Sequence, residues 1–349
     1  MRLGVVGLLL AGLATWSGVA LAAPQLKSGP RQSEPAAPIT KAPAPSLYPM
    51  PAPAAQPEPC PPPPVHGSDE PVTGTPKVAT ANLPPPAALT PRQVDLAPLR
   101  GKGMWWTTWP TSQVDVNLMV SQAKAAGLTQ IWVRTGSSRQ GWYGAPLLDA
   151  LLPAAHTAGI AVVAWDFPTL SDPVADATRA RQAIDETFGG QRIDAFSPDI
   201  ETAYEGTYDS PARVALYLSL VRAAASTLPV VATVMNPTPR QLVNYPYAAQ
   251  APYVDAFAPM VYWSCTEPGQ AAATAIAALA ALRPVHLIGQ AYDMADEGGR
   301  HGLPTGAEIW RFLDVADRAG AIGASLYVAD TASQPEWSAL GGYPWKQGY

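Results

Sequence analysis

The sequence predicts a (β/α)8 TIM barrel over residues 100–349, preceded by a signal peptide (1–22) and a Pro/Ala-rich disordered linker (23–99). Three observations carry this reading. Of 40 prolines, 22 fall between Pro24 and Pro98, a composition that cannot bury a core. From Gly103 onward, short apolar runs alternate with helical ones eight times, the signature of parallel βα units. The ~250 residues that remain match the usual size of such a barrel.

The leader is read from its flanks. Arg2 supplies a positive start, residues 3–13 are apolar, and Ala20-Leu21-Ala22 fits a small-x-small cleavage site. The run is shorter than the ~20 residues a membrane span needs, and Gly12, Thr15, Ser17 and Gly18 interrupt its continuation. The expected location is therefore extracellular, free or associated with the cell wall, with no stable membrane insertion after cleavage. The linker contains the run Pro61 to Pro64 and a single aromatic, Tyr48. Proline lacks a backbone donor and favours extended polyproline II, so this stretch reads as a semi-rigid spacer.

Formal net charge is −5, and residues 101–349 carry 15 Lys/Arg against 22 Asp/Glu. Nucleic-acid partners are not expected, because a phosphate track needs clustered positive charge. The two cysteines, Cys60 and Cys265, fit either a disulfide or two separate thiols. His66, His156, His286 and His301 make no metal-ligand spacing with them, so neither a metal nor any other cofactor is expected.

The eight candidate strands cover 103–109, 130–135, 160–167, 193–201, 230–235, 254–263, 285–292 and 322–328. Between them, 114–126 has helical periodicity and stops at Gly127. Ser210-Pro211 opens a helix with an N-cap and a first-turn proline, and Thr305 with Glu308 forms a capping-box pair. An open doubly wound sheet would offer a Gly-rich phosphate loop after its first strand. Here that strand ends in Trp105-Trp106-Thr107-Thr108-Trp109-Pro110.

Side chains alternate faces along a strand. Ala195, Ser197, Asp199 and Glu201 therefore share one face, assigned to the barrel interior, while Phe196, Pro198 and Ile200 face the helices. The strand Asp255 to Tyr262 echoes Asp194 to Glu201 and places Tyr262 at the height of Glu201, the C-terminal mouth where barrel enzymes keep their chemistry. Two carboxylates so close cannot both ionise cheaply, so one should stay protonated and serve as a general acid. Catalytic roles accordingly fall to Glu201 and Asp199. The competing reading is an ion pair with Arg134. Polar and aromatic groups at other strand ends complete a sugar-binding rim: Trp105, Trp109, Arg134, Asp166, Tyr262, Trp263, Gln290, Tyr292, Asp293 and Tyr327. Aromatic faces stack on sugar rings, and carboxylates and amides bond the hydroxyls.

These residues resemble a known group. Asp194 to Glu201 is similar to the fourth-strand motif of family 18 (chitinase-like) glycoside hydrolases, with Asp194, Asp199 and Glu201 at the first Asp, last Asp and Glu positions and Ser197 at the middle Asp. Met260-Val261-Tyr262 resembles that family's sixth-strand Met-x-Tyr-Asp, with Trp263 in place of the Asp, and the eighth strand ends in Tyr327 rather than tryptophan. The resemblance implies that Glu201 is the acid and that Asp199 and Tyr262 orient a substrate acetamido group, which acts as the nucleophile. The barrel as a whole resembles uncharacterised glycoside hydrolase-type barrels of exported bacterial proteins.

Together these readings predict a secreted glycoside hydrolase acting on a neutral or N-acetylated polysaccharide, with cell-wall polymers among the candidates. The alternative is a catalytically silent carbohydrate-binding barrel on a Pro-rich stalk. An ester or amide hydrolase lacks support, since no Gly-x-Ser-x-Gly is present. A conventional mechanism would draw a second carboxylate from Asp166, Asp293 or Asp330.

Overall fold

The computed structural model describes residues 74–89 and 93–346, and all eight expected strands form within them. In chain order these are β1 (Gly101–Trp106), β2 (Gln130–Ser137), a short β3 (Gly141–Trp142), β4 (Ala161–Phe167), β5 (Ala195–Pro198), β6 (Val231–Val234), β7 (Ala256–Val261), β8 (His286–Gln290) and β9 (Gly323–Tyr327). The strand β3 folds back antiparallel on β2 and lies outside the ring. The other eight run parallel in the order β5-β4-β2-β1-β9-β8-β7-β6. Parallel bridges from Phe196 to Val230 and from Asp199 to Thr233 join the two ends, which closes the barrel. The expected signal peptide, Cys60 and the run Pro61 to Pro64 lie outside the described residues, whereas Cys265 is disulfide-bonded.

Helices α1 (Val116–Ala125), α2 (Ala145–Thr157), α3 (Pro173–Asp185), α4 (Pro211–Ala224), α5 (Pro239–Asn244), α6 (Tyr247–Gln250), α7 (Pro268–Leu279), α8 (Gly306–Arg318) and α9 (Gln334–Gly342) fill the connections. Proline preorganises the first turn of α3, α4 and α7. The capping box of Thr305 and Glu308 forms at the start of α8. Ser210 stands at the N-cap of α4 without capping it, and its hydroxyl is buried without a partner. None of the described helices is long and apolar enough to cross a membrane.

Alternation divides the apolar residues into two layers. Phe196, Ile200, Val162, Ala164 and Phe257 face the helices, while Trp105, Trp132, Trp165, Ala195 and Ala256 fill the barrel. The indoles of Trp105 and Trp132 stack with centroids 4.5 Å apart. Gly103 makes room for them, since a β-carbon there would lie 2.8 Å from Trp132 Nε1 and 2.9 Å from Gln130 Oε1. Below the stack, Ser325 Oγ accepts from Trp105 Nε1 (2.8 Å) and lies 3.0 Å from His286 Nε2, whose Nδ1 sits 2.9 Å from the Leu99 carbonyl. Burial lowers the His286 pKa to about 4, so the plug is neutral at ordinary pH.

The echo between two strands has a structural cause. Asp194 Oδ2 accepts from Val162 N (2.7 Å), and Asp255 Oδ2 accepts from Val230 N (2.8 Å), each stapling its strand to the preceding one. A basic side chain from the last turn of the helix that leads into that neighbouring strand holds each carboxylate: His156 of α2 at 2.8 Å and Arg222 of α4 at 2.7 Å. Asp194 is thus a strand staple at the foot of the barrel.

One boundary differs from expectation. The described residues assigned to the linker, 74–89 and 93–99, lie against the barrel. Lys77 N and Val78 N donate to Ser171 at 2.9 and 3.2 Å, and Ala87 N donates to Ser219 Oγ at 2.9 Å. The buried Arg213 guanidinium donates to the carbonyls of Leu170 (2.9 Å), Ser171 (3.3 Å) and Val78. Leu99, fully buried, joins the interior layer. Proline content hides this because the segment binds through backbone groups, which leave no periodicity to read. A chain beginning at residue 100 should therefore melt below one beginning at residue 74. With about 2 kcal/mol lost through the stranded Arg213 and the opened barrel foot, the drop should reach ~4–8 °C. Equal melting temperatures would show that the segment contributes nothing.

Candidate active site

The site grows from the end of β5. Past Pro198 the chain stays pinned on both sides: Asp199 N donates to Asp166 O on β4 (2.9 Å), and Ile200 N donates to Thr233 O on β6 (3.1 Å). Tyr245 Oη closes on Ile200 O at 2.6 Å, and Ser197 Oγ reaches both Val231 O and Thr233 Oγ1 at 2.8 Å. Glu201 therefore emerges from a backbone with little freedom. Ser197, at the middle position of the resembled motif, is committed to β6.

Asp199 and Glu201 line a cavity of about 960 Å³ at the barrel mouth. Asp199 is only 8 % exposed, and its Oδ1 has no hydrogen-bond donor. Burial raises its pKa to about 7, with Asp166 and Glu205 adding to the rise and Arg134 opposing it. Glu201 is half-buried, and its pKa lies well above the usual carboxylate range through burial first, then the charges of Asp199, Glu205 and Glu297. The mouth thus holds two carboxyls whose proton affinities are both raised. Tyr262, Tyr292 and Tyr327 form one wall, each ring meeting the other two at 5.3–5.8 Å between centroids, and Trp105 lies beneath.

Of the residues expected at the site, Glu201, Asp199, Tyr262, Trp105, Tyr292 and Tyr327 line this cavity together. Six do not. Trp263 is turned to the helix layer, buried with its ring centroid 5.1 Å from that of Phe312, because it follows the interior-facing Tyr262 by one residue. Gln290 is buried and bridges Ser264 N and Tyr292 O, both at 2.9 Å, so it shapes the loops beside the cavity. Asp166 is consumed by Arg179, which donates to both its oxygens at 2.9 and 2.8 Å. Asp293 accepts from Ala295 N (2.8 Å) and Gly302 N (2.9 Å), ordering the loop after β8. Arg134 lies over the rings of Trp109, Trp165 and Phe167 at 4.5, 5.1 and 5.7 Å, and among the described residues it forms no ion pair with Asp199 or Glu201. Trp109 serves as its cover.

Neither Asp166, Asp293 nor Asp330 supplies a second carboxylate, since Asp330 accepts from Thr107 Oγ1 (2.6 Å) and stands outside the lining. Those at the cavity are Glu205, Asp209, Asp296 and Glu297, which the sequence reading missed. Glu205 is held by Thr202 Oγ1 at 2.5 Å, and Glu297 Oε2 accepts from Tyr292 Oη at 2.9 Å. Their signal was position: they sit in the loops after β5 and β8, on the face where barrel loops converge.

No protein-family model and no curated protein sequence matches the chain. Solved structures do. A chitinase from Chromobacterium violaceum superposes with a TM-score of 0.53 at 11 % identity, over 69 % of this chain and 98 % of that one. The chain shares its (β/α)8 barrel fold with that structure. A chitinase from Rhizomucor miehei (TM-score 0.51, 14 % identity, 70 % and 99 % covered) is also similar. So is the spore cortex-lytic enzyme SleL of Bacillus megaterium (0.52, 11 %, 69 % and 73 %).

A carboxyl whose pKa is raised on folding binds more protons in the native than in the unfolded state. Stability then falls as pH climbs from the unfolded value near 4 to the folded value. Asp199, with its pKa of about 7, should therefore destabilise the protein progressively between pH 4 and 7. Asp199→Asn should match wild type near pH 4 and exceed it at pH 8 by a few kcal/mol, roughly 1.4 per pKa unit. Thermal melts across pH check this, and parallel curves would show that Asp199 is not held uncharged by burial.

Proposed function

We propose that the protein is an exported glycoside hydrolase that cleaves a polysaccharide with Glu201 as the proton donor. The observation that supports this most directly is that Asp199 and the half-buried Glu201 line one cavity beside an aromatic wall, with the pKa of Glu201 well above the usual carboxylate range. Glu201 passes its proton to the glycosidic oxygen as the bond to the anomeric carbon breaks, so the leaving sugar departs as an alcohol; a water molecule bonds to the anomeric carbon to give a hemiacetal, and its released proton restores Glu201. Asp199 and Tyr262 lie at the same mouth and orient the reacting sugar, as the likeness to the family 18 motif implies. Tyrosine and tryptophan faces hold the apolar faces of the rings.

Since the similar structures include chitinases and a spore cortex-lytic enzyme, a substrate panel should include chitin and peptidoglycan. Glu201→Gln keeps shape and removes the titrating proton. Its activity on an unactivated glycoside should fall by about 10²–10⁴, while an aryl glycoside with a good leaving group should lose much less. Wild-type activity should decline as pH rises through the Glu201 pKa, because the acid must carry its proton. Unchanged activity of Glu201→Gln would place the acid elsewhere, and glycan binding without turnover would favour the silent carbohydrate-binding barrel.

A further inference from the structure

We propose that Glu297 is the second catalytic carboxylate, the base that takes a proton from the water attacking the anomeric carbon. This rests on the reading of Glu201 as the proton donor and adds the group that completes its reaction. Direct attack by water needs carboxyls on two sides of the scissile bond. Asp199 cannot be the second, because it leaves the same strand end as Glu201. Nor do two motif positions supply one: Ser197 is bonded to β6, and Trp263 is packed on Phe312 in the helix layer.

Four further carboxylates line the cavity, and their places separate them. Glu205 and Asp209 belong to the loop after β5 and approach from the side of Glu201. The Thr202 hydroxyl and amide also occupy Glu205 Oε2. Asp296 and Glu297 come from the loop after β8, and β6 and β7 stand between that strand and β5 around the ring. Of these two, Glu297 is the one held by another side chain. Tyr292 Oη, part of the aromatic wall, donates to its Oε2 at 2.9 Å, and among the described residues nothing bonds Oε1. Its charge reaches Glu201 and helps to raise that pKa, so the two carboxyls serve one cavity.

The loop that carries Glu297 is fixed at several points. Asp293 ties Ala295 N to Gly302 N, Arg300 N donates to Ser264 Oγ (2.8 Å), and Arg300 pairs with Glu308 on α8 (2.8 Å). Glu297 itself is exposed, so a water molecule can reach its free oxygen. Glu201 gives its proton to the glycosidic oxygen, which keeps the electron pair of the breaking bond. The water oxygen bonds to the anomeric carbon from the opposite face, and Glu297 removes one of its protons. That proton passes to solvent and another returns to Glu201, which restores both groups. The hemiacetal therefore has inverted configuration.

Turnover by the full chain is measured on chitin, peptidoglycan, and α- and β-linked glucan, galactan and galactosaminan oligomers, with the product anomer read by proton NMR. The first-formed product should be inverted. Glu297→Ala should melt as wild type does, and its kcat should fall by about 10²–10⁴. Azide sheds no proton on attack, so it should restore turnover roughly tenfold or more and give a glycosyl azide of inverted configuration. Tyr292→Phe removes a donor that favours the ionised carboxylate, so the acidic limb of the pH profile should move to higher pH. A retained anomer, an unchanged kcat in Glu297→Ala, or a fall that azide does not rescue overturns the proposal. Activity lost in Glu201→Gln but kept in Glu297→Ala sinks this inference and leaves the hydrolase. The reverse pattern sinks the proton-donor assignment alone, and a wild type that turns over no member of the panel sinks both.

Discussion

The hydrogen bonds that seize the chain on either side of Asp199 are the constraint on which the site depends. Asp199 N reaches β4 and Ile200 N reaches β6, so one two-residue stretch both closes the barrel and aims the carboxylates. Pro198 cannot donate to a ladder, which makes the bonds just after it the ones that carry β5 to the mouth. Lower down, Asp194 ties the same strand to β4 through Val162, and Ser197 ties it to β6. In this run Asp194 and Ser197 are staples, Ala195, Phe196 and Ile200 pack the two core layers, and Asp199 and Glu201 line the mouth. The seam of the barrel and the proposed catalytic strand coincide.

This arrangement opposes stability. Two carboxyls buried side by side, with Glu205 and Glu297 near, raise one another's proton affinity, and the folded state bears that strain at neutral pH. The rest of the barrel offsets it. Three indoles and the His286–Ser325 plug fill the interior below, and the stapled strands fix the backbone above. A site of this kind tolerates unfavourable charges only where the surrounding frame leaves the groups nowhere else to go.

Much of this was legible in the sequence because it is periodic. All eight strands and the interior placement of Asp199 and Glu201 follow from alternation with a period of two. The same rule, applied one residue further, turns Trp263 away from the mouth, so its assignment to the rim overrode the pattern that had located Tyr262. What was illegible has no period. Glu205 and Glu297 belong to loops whose path is set by local bonds to Thr202 and Tyr292. Residues 74–89 attach through backbone amides and carbonyls, groups that every residue possesses. The echo of Asp194 and Asp255 was visible, but its meaning required seeing that each receives an amide from the start of the preceding strand and a basic side chain from the helix that leads into that strand.

The division of labour between the two carboxyls follows from where Arg134 lies. Its guanidinium is enclosed by Trp109, Trp165 and Phe167, whose ring faces stabilise a cation without neutralising it as a carboxylate would. The charge thus remains available to act across the barrel. Asp199, deeper in the mouth, has Arg134 as the strongest influence opposing its burial. Glu201, two residues further out, is governed after burial by Asp199, Glu205 and Glu297, all acidic. Both carboxyls are therefore pushed up, Asp199 with a cation opposing the rise and Glu201 with acidic neighbours only. Two neighbouring carboxyls whose environments separate their proton affinities in this way are what acid catalysis at neutral pH requires. Removing the aromatic enclosure would blunt that separation without touching either carboxyl, because a hydrated Arg134 would be screened from Asp199.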